Sequence, residues 1–179
     1  MNMNWKKTIA STMIVGMIAT AGATGALAQT PTASVAAKSA PAATSKPVTT
    51  TLTTIQYTTA QQKLMKKEFA KFKGFEAAYA PKQMIRGDAF KNAVAGDDSV
   101  TLLFKEMIVR VSPRDSFSGT AGSSVTLSNH VKAKWFTSIG VPTLGFKLDS
   151  RYVTLSSPDK QLSKAQLEKV AVTIAKLTK

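Results

Sequence analysis

Residues 143–177 read TLGFKLDSRYVTLSSPDKQLSKAQLEKVAVTIAKL, and this stretch decides the fold. Thr143–Leu148 has a strand pattern, Asp149-Ser150 makes a tight turn, and Arg151–Ser156 is a second strand. Arg151, Val153 and Leu155 face one way and Tyr152 and Thr154 the other, because side chains alternate along a strand. The period then changes. Ser163 and Gln166 have the spacing of a capping box, and Leu162 and Leu167 hold the two positions of a hydrophobic staple. Leu167, Val170, Ala171, Ile174 and Leu177 trace an apolar stripe at helical spacing. The pattern predicts a helix over residues 163–178 closing one face of an antiparallel sheet. It places Lys176 and Lys179 at a helix C-terminus, where the dipole favours cations.

Upstream, the chain supplies the rest of that sheet. Ser124–Leu127, Val131–Thr137, Ser99–Phe104 and Met107–Val111 are strand-like, and the last two meet at Lys105-Glu106 as a hairpin. Ala89–Val94 adds a further strand, and Gly96-Asp97-Asp98 is a turn signal. Phe75–Gln83 reads as a short extended segment broken by Pro81. Residues 112–123 read as a long polar loop, mobile at its glycine-rich end. Gln61–Lys73 is a helix: Met65, Phe69 and Phe72 share one face with Leu64 beside them, and Gly74 stands where the helix would stop. Helix, strands and helix in that order predict an α+β domain over 61–179, with an antiparallel sheet of about five to seven strands between an N-terminal and a C-terminal helix.

The run VTLSNHVKAKWF, LGFKLDSRYVTLSS, LSKAQLEKVAVTIAKL, from Val125 to Leu177, resembles a family of extracytoplasmic domains of Gram-positive bacteria. These domains are of unknown function, and they also occur at the outer ends of anti-sigma-factor-like membrane proteins. The features that carry the resemblance are Asn129-His130, Trp135-Phe136, Leu144–Phe146, Tyr152, and Leu162-Ser163 with Leu167. Tyr79-Ala80-Pro81 and the Val100–Val111 hairpin stand in the same order upstream. His130 replaces the glycine usual after that asparagine. The resemblance implies an α+β domain with no established enzymatic activity and no catalytic residues to carry over.

The N-terminus is read as a targeting signal. Lys6 and Lys7 precede an apolar stretch from Ile9 to Ala21, and Ala26 and Ala28 supply small residues at −3 and −1 of a cleavage point after Ala28. A spanning helix needs roughly 20 predominantly apolar residues, which this stretch reaches only by including Gly22, Thr24 and Gly25. Residues 1–28 are therefore expected to be a secretory signal peptide, with an uncleaved anchor as the alternative, and the protein to be exported. Residues 29–60 are rich in Thr, Ala, Pro and Ser, carry no acid and one aromatic, Tyr57, and are expected to be a disordered linker. Their end, 48–59, has the β-propensity for an edge strand.

The 179-residue chain has 24 Lys and Arg against 10 Asp and Glu, a net charge of +14, with one histidine and no cysteine. Without Lys6 and Lys7 the balance is 22 − 10 = +12. The missing cysteines exclude disulfides, thiol nucleophiles, cysteine-held metals and a lipidated anchor. His130 is the only base for a catalytic triad, and no Gly-x-Ser-x-Gly elbow accompanies it. Asp97, Asp98 and Asp149 sit in turns and are too few for a calcium loop. Gly119–Ser124 lacks the Gly-Lys-Ser/Thr ending of a phosphate loop. Trp135 and Phe136 fall on opposite faces of their strand, which splits any stacking platform for nucleic acid.

These readings lead to a non-enzymatic domain with no cofactor, metal or nucleic-acid partner. It would be held to anionic wall polymer or membrane surface by charge. Lys63, Lys66, Lys67, Lys71, Lys73, Lys164, Lys169 and Lys176 are the candidate polyanion-binding residues. The alternative is a small-ligand or lipid-binding module using a cleft under the C-terminal helix. An anti-sigma-type sensor and a hydrolase built on His130 stand behind both.

Overall fold

The computed structural model describes residues 51–74 and 77–177. The proposed signal segment with Ala26 and Ala28, and the linker up to residue 50, lie outside the described residues.

A seven-stranded antiparallel sheet carries the fold. In chain order its strands are β4 (Phe90–Gly96), β5 (Ser99–Phe104), β6 (Ile108–Ser112), β7 (Gly122–Thr126), β8 (Lys132–Ser138), β9 (Val141–Leu148) and β10 (Arg151–Ser156). In space they run β4-β5-β6-β10-β9-β8-β7. Five of the six neighbouring pairs follow the chain through tight connections. Asp97 and Asp98 turn β4 into β5 with positive φ values of 49° and 59°, the left-handed pair that a two-residue hairpin requires.

Alternation along these strands separates a buried face from an outer one. Val100, Leu102, Val109, Val111, Leu144, Val153 and Leu155 are wholly buried on the inner face. Trp135 lies there too, while Phe136, its neighbour, lies on the outer face. The inner face is covered by α1 (Thr59–Phe69), packed on β4 and β5, and by α2 (Lys164–Ala171), packed on β9 and β10. Met65 and Phe69 bury the stripe of α1. Leu167 and Val170 bury that of α2, and both arms of the Ser163–Gln166 capping box are formed. The fold is α+β, with the sheet flanked by an N-terminal and a C-terminal helix.

Three sequence readings are corrected. The ordered domain begins before residue 61: β1 (Leu52–Thr54) pairs with β3 (Gln83–Ile85). The Tyr57 hydroxyl donates to the Pro81 carbonyl at 2.9 Å, and its ring meets Phe90 edge-on. Leu52, Ile55 and Tyr57 pack against the core, and their apolar spacing is diluted in an average over 32 Thr-rich residues.

Secondly, α2 stops at Ala171. Val172, Thr173 and Ile174 are β-branched and lose χ1 freedom in a helix. The chain turns instead into β11 (Ile174–Lys176), which pairs with β2 (Tyr79–Pro81). Ile174 stays buried because it serves the stripe in either conformation.

Thirdly, the loop before β7 is anchored rather than mobile. Phe117 is buried, stacked on Phe136 and edge-on to Tyr152. Its ring occupies the space over Gly145, where a Cβ would come within 2.7 Å of it. Asp115 accepts the amides of Phe117 and Ser118, and Lys134 donates to the Ser118 and Thr120 carbonyls. Gly122 is fixed by close approach as well, since a Cβ there would collide with the Trp135 carbonyl.

Candidate functional site

The eight candidate lysines do not form one cluster. Lys63, Lys66 and Lys67 stand at i, i+3 and i+4 on α1 and are exposed on the side opposite Met65 and Phe69. Among the described residues no carboxylate lies within ion-pair distance of these three. Lys71 is different. Its Nζ donates to Glu68 Oε2 at 2.6 Å, and the same oxygen accepts the Ala95 amide at 2.9 Å. Glu68 is thus a buried tie between α1 and β4, and the Lys71 hydrogen bond holds its carboxyl below the usual range despite burial. Lys73 is exposed in the turn after α1.

Lys176 sits on β11, not on a helix end. Its Nζ is 3.6 Å from Asp149 Oδ2 and 5.9 Å from the centre of the Tyr79 ring, while the Tyr79 hydroxyl donates to the same Asp149 oxygen at 2.9 Å. Burial and Asp149 raise the Tyr79 phenol above its usual value. The Lys176 charge thus faces Asp149 across an exposed pair. Lys169 is exposed in the last turn of α2.

Lys164 marks a second place. Its Nζ lies 5.0 Å from the centre of the Trp135 ring, and the indole N–H donates to Glu168 Oε1 at 2.7 Å. Beneath the start of α2 a cleft of about 260 Å³ opens between helix and sheet. Its floor is Trp135, Leu162, Leu167 and Pro142, and Lys160 and Lys164 stand at its rim.

The other candidate groups lie in turns and bends. His130 is exposed with φ 65°, in a turn closed by its amide donating to the Leu127 carbonyl. Asp98 pairs with Arg114.

Asp88 is the buried acid that the sequence reading passed over. Its Oδ1 accepts the amides of Ala89 at 2.8 Å and Glu106 at 2.9 Å, stapling the turn before β4 to the β5–β6 hairpin. Among the described residues its Oδ2 has no hydrogen-bond partner, and burial raises its pKa. No sequence spacing announces that contact, because residues 88 and 106 meet only once the sheet has paired.

No protein-family model, curated protein or solved structure matches the chain.

Proposed function

We propose that this chain is an exported, non-enzymatic domain that attaches by charge to anionic components of a bacterial envelope, wall polymer or lipid headgroup. The observation that carries the reading is the exposed face of α1, where Lys63, Lys66 and Lys67 stand together with no carboxylate within ion-pair distance among the described residues. A row of like charges on one helix face lowers helix stability slightly, and a polyanion laid along it relieves that repulsion. The net charge of +12 that remains without Lys6 and Lys7 adds long-range attraction to any anionic surface. The leader-like N-terminus and the resemblance to extracytoplasmic domains agree with an envelope location.

The test is partition of the purified chain onto washed bacterial envelope material. Exposed ion pairs contribute about 0.5 kcal/mol each, so Lys63→Ala, Lys66→Ala and Lys67→Ala together lower affinity roughly tenfold at low salt. An unchanged affinity removes α1 as the binding face.

A further inference from the structure

The tip of the β8–β9 hairpin departs from the chemistry that its backbone calls for. Ser138 and Val141 face each other as the last pair of the ladder, so Ile139 and Gly140 alone make the turn. Their φ values are 49° and 75°. A two-residue turn with both central residues left-handed calls for Asn, Asp or Gly first and Gly second. Gly140 fits. Ile139 does not, since a β-branched residue at positive φ crowds its own backbone. In two other two-residue hairpins of this sheet the same position is an acid: Asp97 at φ 49° and Asp149 at φ 53°. Packing does not account for the isoleucine either, because it is 100% exposed. No contact among the described residues offsets the strain, and strain of this kind gathers where a residue serves a partner.

The surroundings of the tip suit an anionic surface. Antiparallel pairing sends the Asp97-Asp98 and Asp149-Ser150 turns to the opposite end of the sheet. From Ser116 to Leu148, the loop and the three strands around the tip, the sequence holds Lys132, Lys134 and Lys147 and no acid. Gly140 and Pro142, beside Ile139, are exposed. The turn after β10 lies alongside, because Ser156 pairs with Thr143, and it brings Lys160 to the same cleft edge as Pro142. Lys160 is exposed, with no carboxylate within ion-pair distance among the described residues. Asp159 is exposed in the same turn, and Lys164 follows at the start of α2. The turn is held to the sheet: the Ser157 hydroxyl donates to the Glu106 carbonyl at 2.7 Å and accepts the Leu162 amide at 3.2 Å.

A bare aliphatic side chain on a convex tip has no group with which to read a polymer's hydroxyls or phosphates. It does fit the acyl region under a layer of headgroups, where burying it is favourable and where cations at the interface meet anionic lipid. We infer that the β8–β9 tip is a lipid-docking point: Ile139 enters the acyl region of an anionic bilayer, Pro142 lies at the interface, and Lys160 meets the headgroup phosphates. The inference rests on the charge-attachment reading above and names the lipid surface, rather than wall polymer, as the partner. The α1 lysines draw the chain to the surface, and Ile139 then adds a contact that salt does not screen.

The chain has no cysteine, so Ser138→Cys in the full chain gives one attachment point for a nitrobenzoxadiazole dye beside Ile139. Asp97→Cys puts the same dye at the opposite end of the sheet. Each is mixed with vesicles of phosphatidylcholine alone or of phosphatidylcholine and phosphatidylglycerol in equal parts, and pelleting of the same samples reads attachment. The expected result on the anionic vesicles is a blue shift at position 138, with quenching by nitroxide-labelled acyl chains, roughly threefold larger than at position 97. Reading the tip separates its insertion from attachment by any other segment. Ile139→Asn abolishes the shift at position 138 and raises the urea midpoint, because Asn-Gly suits the turn. Ile139→Leu keeps the shift, and Lys160→Glu lowers it about twofold. A dye at position 138 that stays in water while the chain pellets with anionic vesicles overturns the inference and leaves charge attachment standing. A chain that pellets with neither these vesicles nor washed envelope material overturns both. Equal shifts at positions 138 and 97, an unchanged shift in Ile139→Asn, or a lowered urea midpoint in that variant also overturn the inference.

Discussion

Phe117 and Gly145 form a lock that a double-mutant cycle can read. Phe117 is 7% exposed, its ring centre is 5.8 Å from that of Phe136 and 6.0 Å from that of Tyr152, and it lies over Gly145. Truncating a buried Phe to Ala costs about 3–5 kcal/mol. This ring caps the outer face of the sheet, where the loop has room to settle, so about 3 kcal/mol is expected for Phe117→Ala. Gly145→Ala alone sets a methyl 2.7 Å from the ring, closer than carbon atoms approach. It should cost about 1–3 kcal/mol through overpacking. With both changes, the new methyl enters space that the ring has left. The second substitution then costs almost nothing, giving a coupling of about 1–3 kcal/mol. Urea unfolding followed by far-ultraviolet circular dichroism measures all four corners of the cycle. Additive costs, with no coupling beyond error, would refute the seating of Phe117 on Gly145 and the anchored loop with it.

Other expectations follow from the same contacts. Glu68 has a folded pKa below its unfolded value, so its contribution is present above the ordinary carboxylate range and lost as pH falls through the lowered value. Glu68→Gln should therefore destabilise at pH 7 and flatten the acid limb of the stability curve. Asp88 has the opposite sign: its raised pKa means that ionisation opposes folding, so its contribution improves as pH falls through the raised value. Asp88→Asn, which keeps an oxygen for the Ala89 and Glu106 amides, should remove that improvement in a pH series of urea midpoints. Ser163→Ala deletes the α2 cap and should cost about 1 kcal/mol, whereas Ser163→Asp should preserve stability.

The sheet and its two helices were legible because their signals are local. Strand alternation in Arg151–Ser156 and the Ser163–Gln166 capping box need only neighbouring residues, and both appear as read. The C-terminal stripe misled because Leu167, Val170, Ala171 and Ile174 satisfy a helix throughout. The β-branched run Val172-Thr173-Ile174 weakens the helix locally, and the pairing of β11 with β2, 93 residues apart at Ile174 and Pro81, is what ends it. Likewise, the loop around Phe117 reads as polar from its composition, and a single aromatic over Gly145 is what fixes it.

The candidate lysines were visible as charge, but composition cannot distinguish an exposed lysine from one already engaged. Glu68 and Lys71 are an i, i+3 pair whose spacing is already in the sequence, whereas Lys176 with Asp149 is sorted out only by tertiary contact. Lys160 belongs to the basic 160–179 stretch that the sequence shows, and its place beside Lys164 at the cleft rim appears only in the fold.

The central claim is attachment through unpaired charge. Its most direct measurement is the affinity of the full chain for washed envelope material between about 20 and 500 mM salt, a range over which the screening length falls several-fold. The account predicts a steep loss of binding with salt and a shallower one after Lys63→Ala, Lys66→Ala and Lys67→Ala. Retention that does not change with salt would contradict it.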